Sequence, residues 1–385
     1  LGLLARLRAG RDTPKAVADA ARRLARRDGL SAREQQLGWA VTAEAARKAK
    51  DYAAEIIARE HLLAQSREVS LDKRLFPLSA DALWRAYVNY AQVVGNREQL
   101  LLGNDRAWFA SAKAAGKRLP VKVRAIYALL GLRAYGEADR QRAHGMLVES
   151  LMGQDGGIEV VRQLYLEAPK HFAKPTDAPV AACRVLIDQA IADRNLALAS
   201  KLQAGLSEPP EGTNRVVWRL RRAKIFILGG EPERGAQALL TLLGDTPVLT
   251  SDQSDRLVQV IFDLQTVQEH RLAIAVLERL LERVGSGQRR RELLYWTADS
   301  YAAEKDYREA ARLYLRSATL LDPKAMDPWA QTARYQAAKA LGQAGLVDDA
   351  RGLFDGLLAV TKDPARRAVL RRDRQQLRLK HAAEE

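Results

Sequence analysis

The sequence predicts an all-α fold, an α-solenoid built from stacked helical hairpins. Three observations support this prediction. Residues that favour helices dominate the composition, the segment 291–323 has the pattern of two short amphipathic helices joined by a tight turn, and weaker versions of that pattern recur on both sides of it. A lone hairpin of this size cannot bury both of its faces, so neighbouring hairpins must stack on it.

The composition favours helix along the whole chain. Alanine, leucine and arginine dominate, aromatic residues make up 6% of the 385 residues, and no run alternates convincingly with β-branched residues. A compact fold of this length would have two or three domains. A solenoid is not bound by that count, because each of its repeats contacts only its neighbours.

Residues 1–152 are predicted to form N-terminal helical hairpins. Thr13 and Ser31 are suitable N-caps, and Pro14 suits the first helical position that follows Thr13. Within this region the segment 83–112 is rich in aromatic residues and does not follow the hairpin pattern. It is either an interaction surface or an adaptation of packing, and we favour packing.

Residues 153–179 are predicted to form a bend or linker region. Glycines at 153, 156 and 157 and prolines at 169, 175 and 179 interrupt helices at high density. A helix over 158–167 is expected between the two sets of breaks. The bend would separate the N-terminal hairpins from a regular second half over 180–363.

The segment 291–323 carries the clearest hairpin of that second half. Its first helix has apolar or small residues at three- and four-residue spacing, which places them on one face, at Leu294, Ala298, Tyr301 and Ala302. The pattern breaks at 304–306 and resumes from Ala310. Pro323 ends the second helix, because proline disfavours helical geometry in the preceding residue and cannot donate into a continuing helix.

The residues of this hairpin resemble the tetratricopeptide repeat (TPR) in their order, which is Leu294, Ala298, Tyr301, Asp306-Tyr307, Ala310, Tyr314 and Asp322-Pro323. The segment departs from the family by one extra residue before the terminal Asp-Pro and by Ser317, where the family usually has alanine. The resemblance is clearest over residues 180–363 and weaker over 1–152. It implies a right-handed superhelix of TPR-like hairpins.

A register of small residues extends the resemblance over the second half. The small residue of each second helix aligns as Ala197, Gly235, Ala273, Ala310 and Ala350, so the pattern recurs about every 38 residues. This interval exceeds the roughly 34 residues of the standard repeat. One such match is easily accidental, whereas five in register are not, so we predict a C-terminal TPR superhelix over 180–363.

Residues 364–385 are predicted to form a basic capping helix and tail. A solenoid needs a polar terminal helix to cover its exposed core. The alternative is a helix that faces a polyanion or a membrane. The formal net charge of +15 extends that alternative to the whole chain, because it suggests affinity for acidic partners. Arginines on solvated helix faces are the competing explanation.

The sequence has no pattern typical of an active site, a metal site or a cofactor site. None of the five histidines pairs with another at ligand spacing, and Gly116-Lys117 lacks the rest of a phosphate-binding loop. The single Cys183 excludes a disulfide within the chain and a zinc cluster built on thiols. We therefore predict a protein that is not an enzyme and that needs no cofactor or metal.

The TPR resemblance implies a concave partner-binding face on the first helix of each repeat. Carrying the register over predicts that this face is formed by Leu220, Lys224, Phe262, Tyr295, Asp299, Tyr335 and Lys339. Aromatic and charged residues together suit an extended peptide or a partner helix. Phe262 has packing between repeats as its alternative role. Tyr295 and Tyr335 are the preferred candidates, because a tyrosine hydroxyl tolerates exposure.

The expected function is therefore that of a noncatalytic scaffold that recruits another protein. By family analogy alone, we expect it within a bacterial envelope assembly for secretion or exopolysaccharide export. The rival hypothesis is a basic α-solenoid that binds an acidic polymer or nucleic acid. The chain begins with Leu1, so we expect it to be part of a longer protein. No apolar run approaches the length of a membrane span. The compartment stays open, with the periplasm favoured over the cytoplasm.

Overall fold

The computed structural model describes residues 2–381 except residues 70, 73, 74, 77, 96, 97, 99, 100, 286 and 325, with side chains as far as residue 377. Within these residues the chain is all-helical, with 75% of residues in helices and no strand. Twenty α-helices are present in the described part, and they pack neighbour to neighbour as in an α-solenoid. The predicted all-α class and the stacking of neighbouring helices are confirmed.

The contacts divide the chain into two units, Leu1–Glu208 and Pro209–Glu385. The helices of the first unit are α1 Gly2–Arg8, α2 Pro14–Ala25, α3 Ala32–Ala49, α4 Tyr52–Ala64, α5 Ala80–Val94, α6 Asp105–Ala115, α7 Pro120–Arg133, α8 Glu137–Met152, α9 Gly157–Leu166, α10 Val180–Ala192 and α11 Leu196–Ala204. Short 3-10 helices lie at Gly116–Arg118 and Pro175–Asp177. The division follows the segment 153–179 in the chain instead of falling within it.

The second unit contains the remaining helices: α12 Arg215–Leu228, α13 Pro232–Asp245, α14 Ser251–Thr266, α15 His270–Leu281, α16 Gln288–Ala303, α17 Tyr307–Thr319, α18 Pro328–Gln343, α19 Val347–Val360 and α20 Pro364–His381. Consecutive helices pack on each other, and α12 also packs on α14 and α13 on α15. One apolar core runs through this unit from Leu220 to Ala340. Each hairpin therefore completes the core of the hairpin before it.

Six hairpins share one turn geometry. The turn residue has a left-handed backbone with φ between 58° and 91°, and it is Lys50, Arg194, Gly230, Gln268, Lys305 or Gly345. In each turn the amide of the next residue donates to the carbonyl five residues earlier, over 2.8–3.0 Å. This is the Schellman arrangement, which satisfies carbonyl groups at a helix C-terminus. The last five turns recur about every 38 residues, so they define the repeat of the chain.

The turns also correct the register of small residues. The fourth residue after each N-cap of a second helix is buried at Gly235, Ala273, Ala310 and Ala350, as aligned from the sequence. In the hairpin turning at Arg194, however, Asn195 is the N-cap, so the equivalent residue is Ala199. Ala199 is fully buried whereas Ala197 is exposed. The alignment on Ala197 was therefore wrong by two residues.

Aromatic side chains of the irregular segment 83–112 lie in the core of the first unit. Trp84, Tyr87 and Trp108 are buried, so their role is packing. The Trp84 indole donates to the carbonyl of Leu164 in α9 over 3.0 Å. Helix α9 packs on α4, α5, α8 and α10, so the helix expected between the breaks of 153–179 is a core element of its unit.

Helix α20 packs on the last hairpin of the second unit. Leu370 is buried in a small core cluster with Ala338, Phe354 and Leu357. The Arg367 guanidinium donates to the carbonyls of two residues near the end of α19. Through these contacts the Arg-rich helix covers the apolar side of α18 and α19.

Candidate partner-binding surface

The predicted binding residues occupy two positions of each first helix. Counted back from the left-handed turn residue, they lie ten and six residues before it. The pairs are Leu220 and Lys224 in α12, Tyr295 and Asp299 in α16, and Tyr335 and Lys339 in α18, with Phe262 at the second position in α14. Four residues rotate a helix by about 40° beyond a full turn, so the two positions face different surroundings.

The first position faces inward in α12 and α16. Leu220 is 3% exposed and Tyr295 is 9% exposed, and both lie in the apolar core of the second unit. The Tyr295 ring contacts the rings of Trp296, Tyr314 and Trp329 at centroid distances of 5.1–5.2 Å. Neither Leu220 nor Tyr295 presents surface to a partner, because the neighbouring helices already fill the space around them.

The second position is exposed in α12 and α18 and half-buried in α14 and α16. Lys224 is exposed, and its ammonium group lies 3.3 Å from Asp263 of α14. Lys339 is also exposed and lies 5.6 Å from the ring of Tyr335. Phe262 is half-buried. These side chains therefore keep accessible surface on the first helices, and their role as a binding wall stays a prediction.

Half-buried aromatic rings on three successive first helices form what we call the aromatic row: Phe262 of α14, Trp296 of α16 and Trp329 of α18. The centroid distances are 5.0 Å from Phe262 to Trp296 and 6.3 Å from Trp296 to Trp329. Both contacts are edge-to-face, the arrangement that aromatic pairs prefer. The row links three hairpins through one continuous aromatic surface.

Ser317 fixes the last ring of the row. Its hydroxyl donates to the carbonyl of Arg291 over 2.7 Å and accepts from the Trp329 indole over 3.1 Å. The Ser317 hydroxyl therefore has a structural role at the contact between these hairpins. An alanine there would leave the indole without this partner.

Trp296 and Trp329 were not predicted as binding residues, although the sequence carries a signal for them. Phe262, Trp296 and Trp329 recur about every 34 residues, which is close to the length of a standard repeat. The turns of the same hairpins recur about every 38 residues, so the rings fall out of the register that the turns define. The row therefore runs obliquely across the helices, which an alignment by turns cannot detect.

Asp299 lies beside the aromatic row and is half-buried. The Tyr314 hydroxyl donates to one of its carboxylate oxygens. Burial raises the pKa of the Asp299 carboxyl to about 6, and the hydrogen bond from Tyr314 opposes part of that rise. The carboxyl is thus harder to ionise than an exposed aspartate, since burial disfavours its charged form.

Tyr335 and Lys339 lie against helix α20. The Tyr335 hydroxyl donates to Asp373 over 2.6 Å, and both residues line a groove of about 240 Å³ that Phe354 and Leu377 also line. The predicted wall at α18 is therefore partly covered by the chain's own C-terminal helix. This end of the wall offers less surface than the aromatic row.

The first unit has three larger concavities. One of about 480 Å³ lies among α3, α4 and α5, and one of about 520 Å³ is lined by residues that include Leu63, Gln163 and Pro169. One of about 760 Å³ is lined by residues of α4, α7 and the glycines 153, 156 and 157. In the largest one, Glu60 accepts from Arg124 over 2.6 Å and 2.7 Å and from the Tyr87 hydroxyl over 2.6 Å. This buried network is satisfied within the protein, so it has a structural role.

Two findings concern the described residues as a whole. They contain no group of three or more histidine, cysteine, aspartate or glutamate side chains that could hold a metal ion. No helix among them is long and apolar enough to cross a membrane.

Fold and surface together define this chain as a helical-repeat protein with a candidate binding face on its first helices. Comparison with family models and with curated proteins finds no match.

Proposed function

We propose that this protein is a noncatalytic TPR scaffold, a right-handed superhelix that binds a segment of another protein along the aromatic row. Phe262, Trp296 and Trp329 are the anchoring residues, and Lys224 and Asp299 border them. By analogy with irregular TPR scaffolds, we also propose that the assembly it serves is a bacterial envelope machine for secretion or polysaccharide export.

The observation that carries this proposal is the half-exposure of three large rings on successive hairpins. Aromatic side chains are the commonest energetic anchors of protein interfaces, because they bury a large area and lose little conformational entropy. The row also has a rigid base, since Tyr295 is buried beneath it and contacts two of its rings. A preformed surface of this kind lowers the ordering cost of binding.

The rival hypothesis, binding of an acidic polymer or nucleic acid, depends on the clusters of arginines. In the cluster 289–291, Arg289 lies 2.8 Å from Asp255 and Arg291 lies 2.7 Å from Asp327. Arg290 donates to carbonyls of the preceding hairpin. A guanidinium engaged in this way must give up its internal contact to bind a phosphate.

The same holds for the basic C-terminal helix. Arg372 pairs with Asp373 over 2.9 Å, and Arg374 pairs with Asp355 over 2.8 Å. Arg367 donates to carbonyls at the end of α19. Much of the charge in these clusters therefore serves the fold, and we favour protein binding over polyanion binding.

The experiment that tests the proposal is selection of a random peptide library on the purified protein. The enriched peptides are synthesised, and their affinities are measured by fluorescence anisotropy. We expect Phe262→Ala and Trp296→Ala each to weaken binding by about tenfold or more, as for a hot-spot residue. Tyr295 is left unchanged, because its ring is buried and its removal would damage the fold.

Tyr301→Ala is the matched control, because Tyr301 lies on the same helix as Trp296 but points to α15, where its hydroxyl donates to Glu278 over 2.7 Å. It should leave the affinity unchanged. Circular dichroism establishes that each variant is folded. Failure to enrich any peptide, or equal binding by the row variants and the wild type, would contradict the proposal.

A further inference from the structure

We infer that Asp299, together with the ring of Trp296, receives a positively charged side chain of the partner. The inference rests on the proposed function and deepens it, because it states the chemistry of the segment that binds. The partner segment carries an arginine or a lysine as an anchor, placed among apolar residues that contact the aromatic row.

The first observation is that Asp299 has no positively charged neighbour. Within the described residues no lysine, arginine or histidine forms an ion pair with it, and its one hydrogen bond comes from the neutral hydroxyl of Tyr314. Nearby carboxylates differ in this respect, because Asp263 lies 3.3 Å from Lys224 and Asp327 lies 2.7 Å from Arg291. A half-buried carboxylate without a counter-charge costs stability, which is unusual unless a ligand supplies the charge.

The second observation concerns the rings around Asp299. In a chain with a net charge of +15, five other rings have an arginine or lysine within 5.7 Å of the centroid, those of Trp39, Phe109, Trp218, Phe226 and Tyr335. In the described part of the chain, no cation lies over the rings of the aromatic row or over Tyr295. Aromatic faces attract cations, most strongly those of tryptophan. The faces of the row are therefore available to a cation from outside.

Helix geometry brings these groups together. Trp296 and Asp299 are three residues apart on α16, so they lie on one side of the helix. A guanidinium at this place would pair with the carboxylate and lie against a ring at the same time. Arginine suits such a site better than lysine, because its planar group both forks to a carboxylate and stacks on aromatic rings.

Among the described residues, the ionisable groups that act on Asp299 are the phenol groups of Tyr295 on its own helix and Tyr314 on α17. Both stay neutral near neutral pH because burial raises their pKa. Protonation of Asp299 is then the event that removes the local negative charge as the pH falls. Binding of the partner's cation should weaken with it.

The decisive variant is Asp299→Asn, which removes the charge and keeps an oxygen that accepts from Tyr314. Its probe is an arginine-containing peptide selected on the wild-type protein, paired with a copy in which citrulline, a neutral isostere, replaces the arginine. We expect the citrulline peptide to bind the wild type about tenfold more weakly and to bind Asp299→Asn as well as the arginine peptide does. The melting temperature of Asp299→Asn should be unchanged or higher, since a charge without a partner has been removed.

The pH dependence provides the second readout. Between about pH 7.5 and about pH 5, affinity for the arginine peptide should fall by up to about tenfold in the wild type and stay constant in Asp299→Asn. Asp349→Asn is the matched control, because it removes an exposed carboxylate from α19 in the same unit. It should behave as the wild type.

The outcomes separate this inference from the proposed function. If selected peptides require Phe262 and Trp296 but bind Asp299→Asn and the citrulline copy without loss, the cation site is overturned while the scaffold proposal stands. If Asp299→Asn lowers the melting temperature and binding together, Asp299 is structural and the inference is also overturned. If no peptide is enriched, both proposals fall.

Discussion

Charged residues of this protein serve its fold through contacts with the backbone. Arg290 in the first turn of α16 donates to the carbonyls of Leu281 and Val284, nine and six residues earlier. Arg367 in the first turn of α20 repeats both contacts at the same offsets. The last carbonyl groups of a helix have no partner within that helix, so these guanidinium groups satisfy them from the next one. These backbone contacts give a structural role to some of the arginines. From the sequence alone, both a binding role and a structural role were possible for them.

The pair Glu60–Arg124 yields a prediction at the residue scale. Both side chains are buried, and each satisfies the other. Glu60→Gln leaves the Arg124 charge without compensation, so we expect it to lower the free energy of unfolding by about 3 kcal/mol. Chemical denaturation of the variant and the wild type measures this difference.

The control makes the same substitution in an exposed pair. Glu137 pairs with Arg140 on the surface of α8, and Glu137→Gln should cost less than about 1 kcal/mol. Equal losses in the two variants would mean that burial does not increase the contribution of the Glu60–Arg124 pair to the free energy of unfolding.

Single helices in the second unit are adapted to close crossings. Gly235 in α13 is the clearest case, because a Cβ atom at this residue would lie 2.4 Å from Ile227 and 2.9 Å from the carbonyl of Ala223 in α12. Gly244 in the same helix faces open space. Two glycines of one helix therefore have different reasons to be there, and only Gly235 is required by packing.

This contrast gives a prediction at the element scale. Gly235→Ala forces α12 and α13 apart, and we expect it to lower the free energy of unfolding by about 1–3 kcal/mol. Gly244→Ala improves helix propensity and should raise it by up to about 1 kcal/mol. Thermal unfolding of the two variants gives the sign of each change, and the same sign for both would refute the close-crossing argument.

The sequence was most informative about elements and least informative about which side of an element faces inward. Spacing and breakers predicted the hairpin 291–323, and the observed helices α16 and α17 cover it. Tyr295 was preferred as a binding residue because tyrosine tolerates exposure, yet it is buried under the aromatic row. Residue type alone does not reveal how deeply a side chain is buried, since residues four apart share a helix face and the neighbouring helices decide their exposure.

The aromatic row could not be predicted in full from the sequence. It depends on distances between neighbouring helices, and the pattern of residues within a single helix does not contain those distances. Lys224 is exposed and Phe262 is half-buried against the core, and their role in partner binding stays a prediction. Trp296 and Trp329 were missed because their alignment crosses the hairpins obliquely. The absent counter-charge at Asp299 is also a property of three-dimensional neighbours, so composition could not predict it.

At the scale of the whole molecule, helix α20 covers the apolar side of the hairpin formed by α18 and α19. Leu370 makes this contact and is 2% exposed, whereas its neighbour Val369 is 39% exposed. A helix that covers the apolar face of a hairpin with one side is expected to be polar on its solvent-facing side. Helix α20 packs on the hairpin through Leu370, and its role as a cap of the repeats stays a prediction.

Leu370 and Val369 provide the corresponding prediction. Leu370→Ala opens the small cluster with Phe354 and Leu357, and we expect a loss of about 2–3 kcal/mol in the free energy of unfolding. Val369→Ala should change it by less than about 0.5 kcal/mol. Urea titrations followed by circular dichroism compare the two, and similar losses would show that the cap does not work through Leu370.

The repeated left-handed turn has a consequence for how long the binding surface can be. Gln268 and Lys305 adopt the same backbone conformation and make the same turn hydrogen bonds. A deletion of residues 268–304 therefore joins Val267 directly to Lys305 and leaves one intact turn. Such a deletion removes one hairpin and, with it, one ring of the aromatic row, while a duplication of the same stretch adds one of each. The length of the binding surface can therefore increase or decrease by whole hairpins, and no new kind of turn is required.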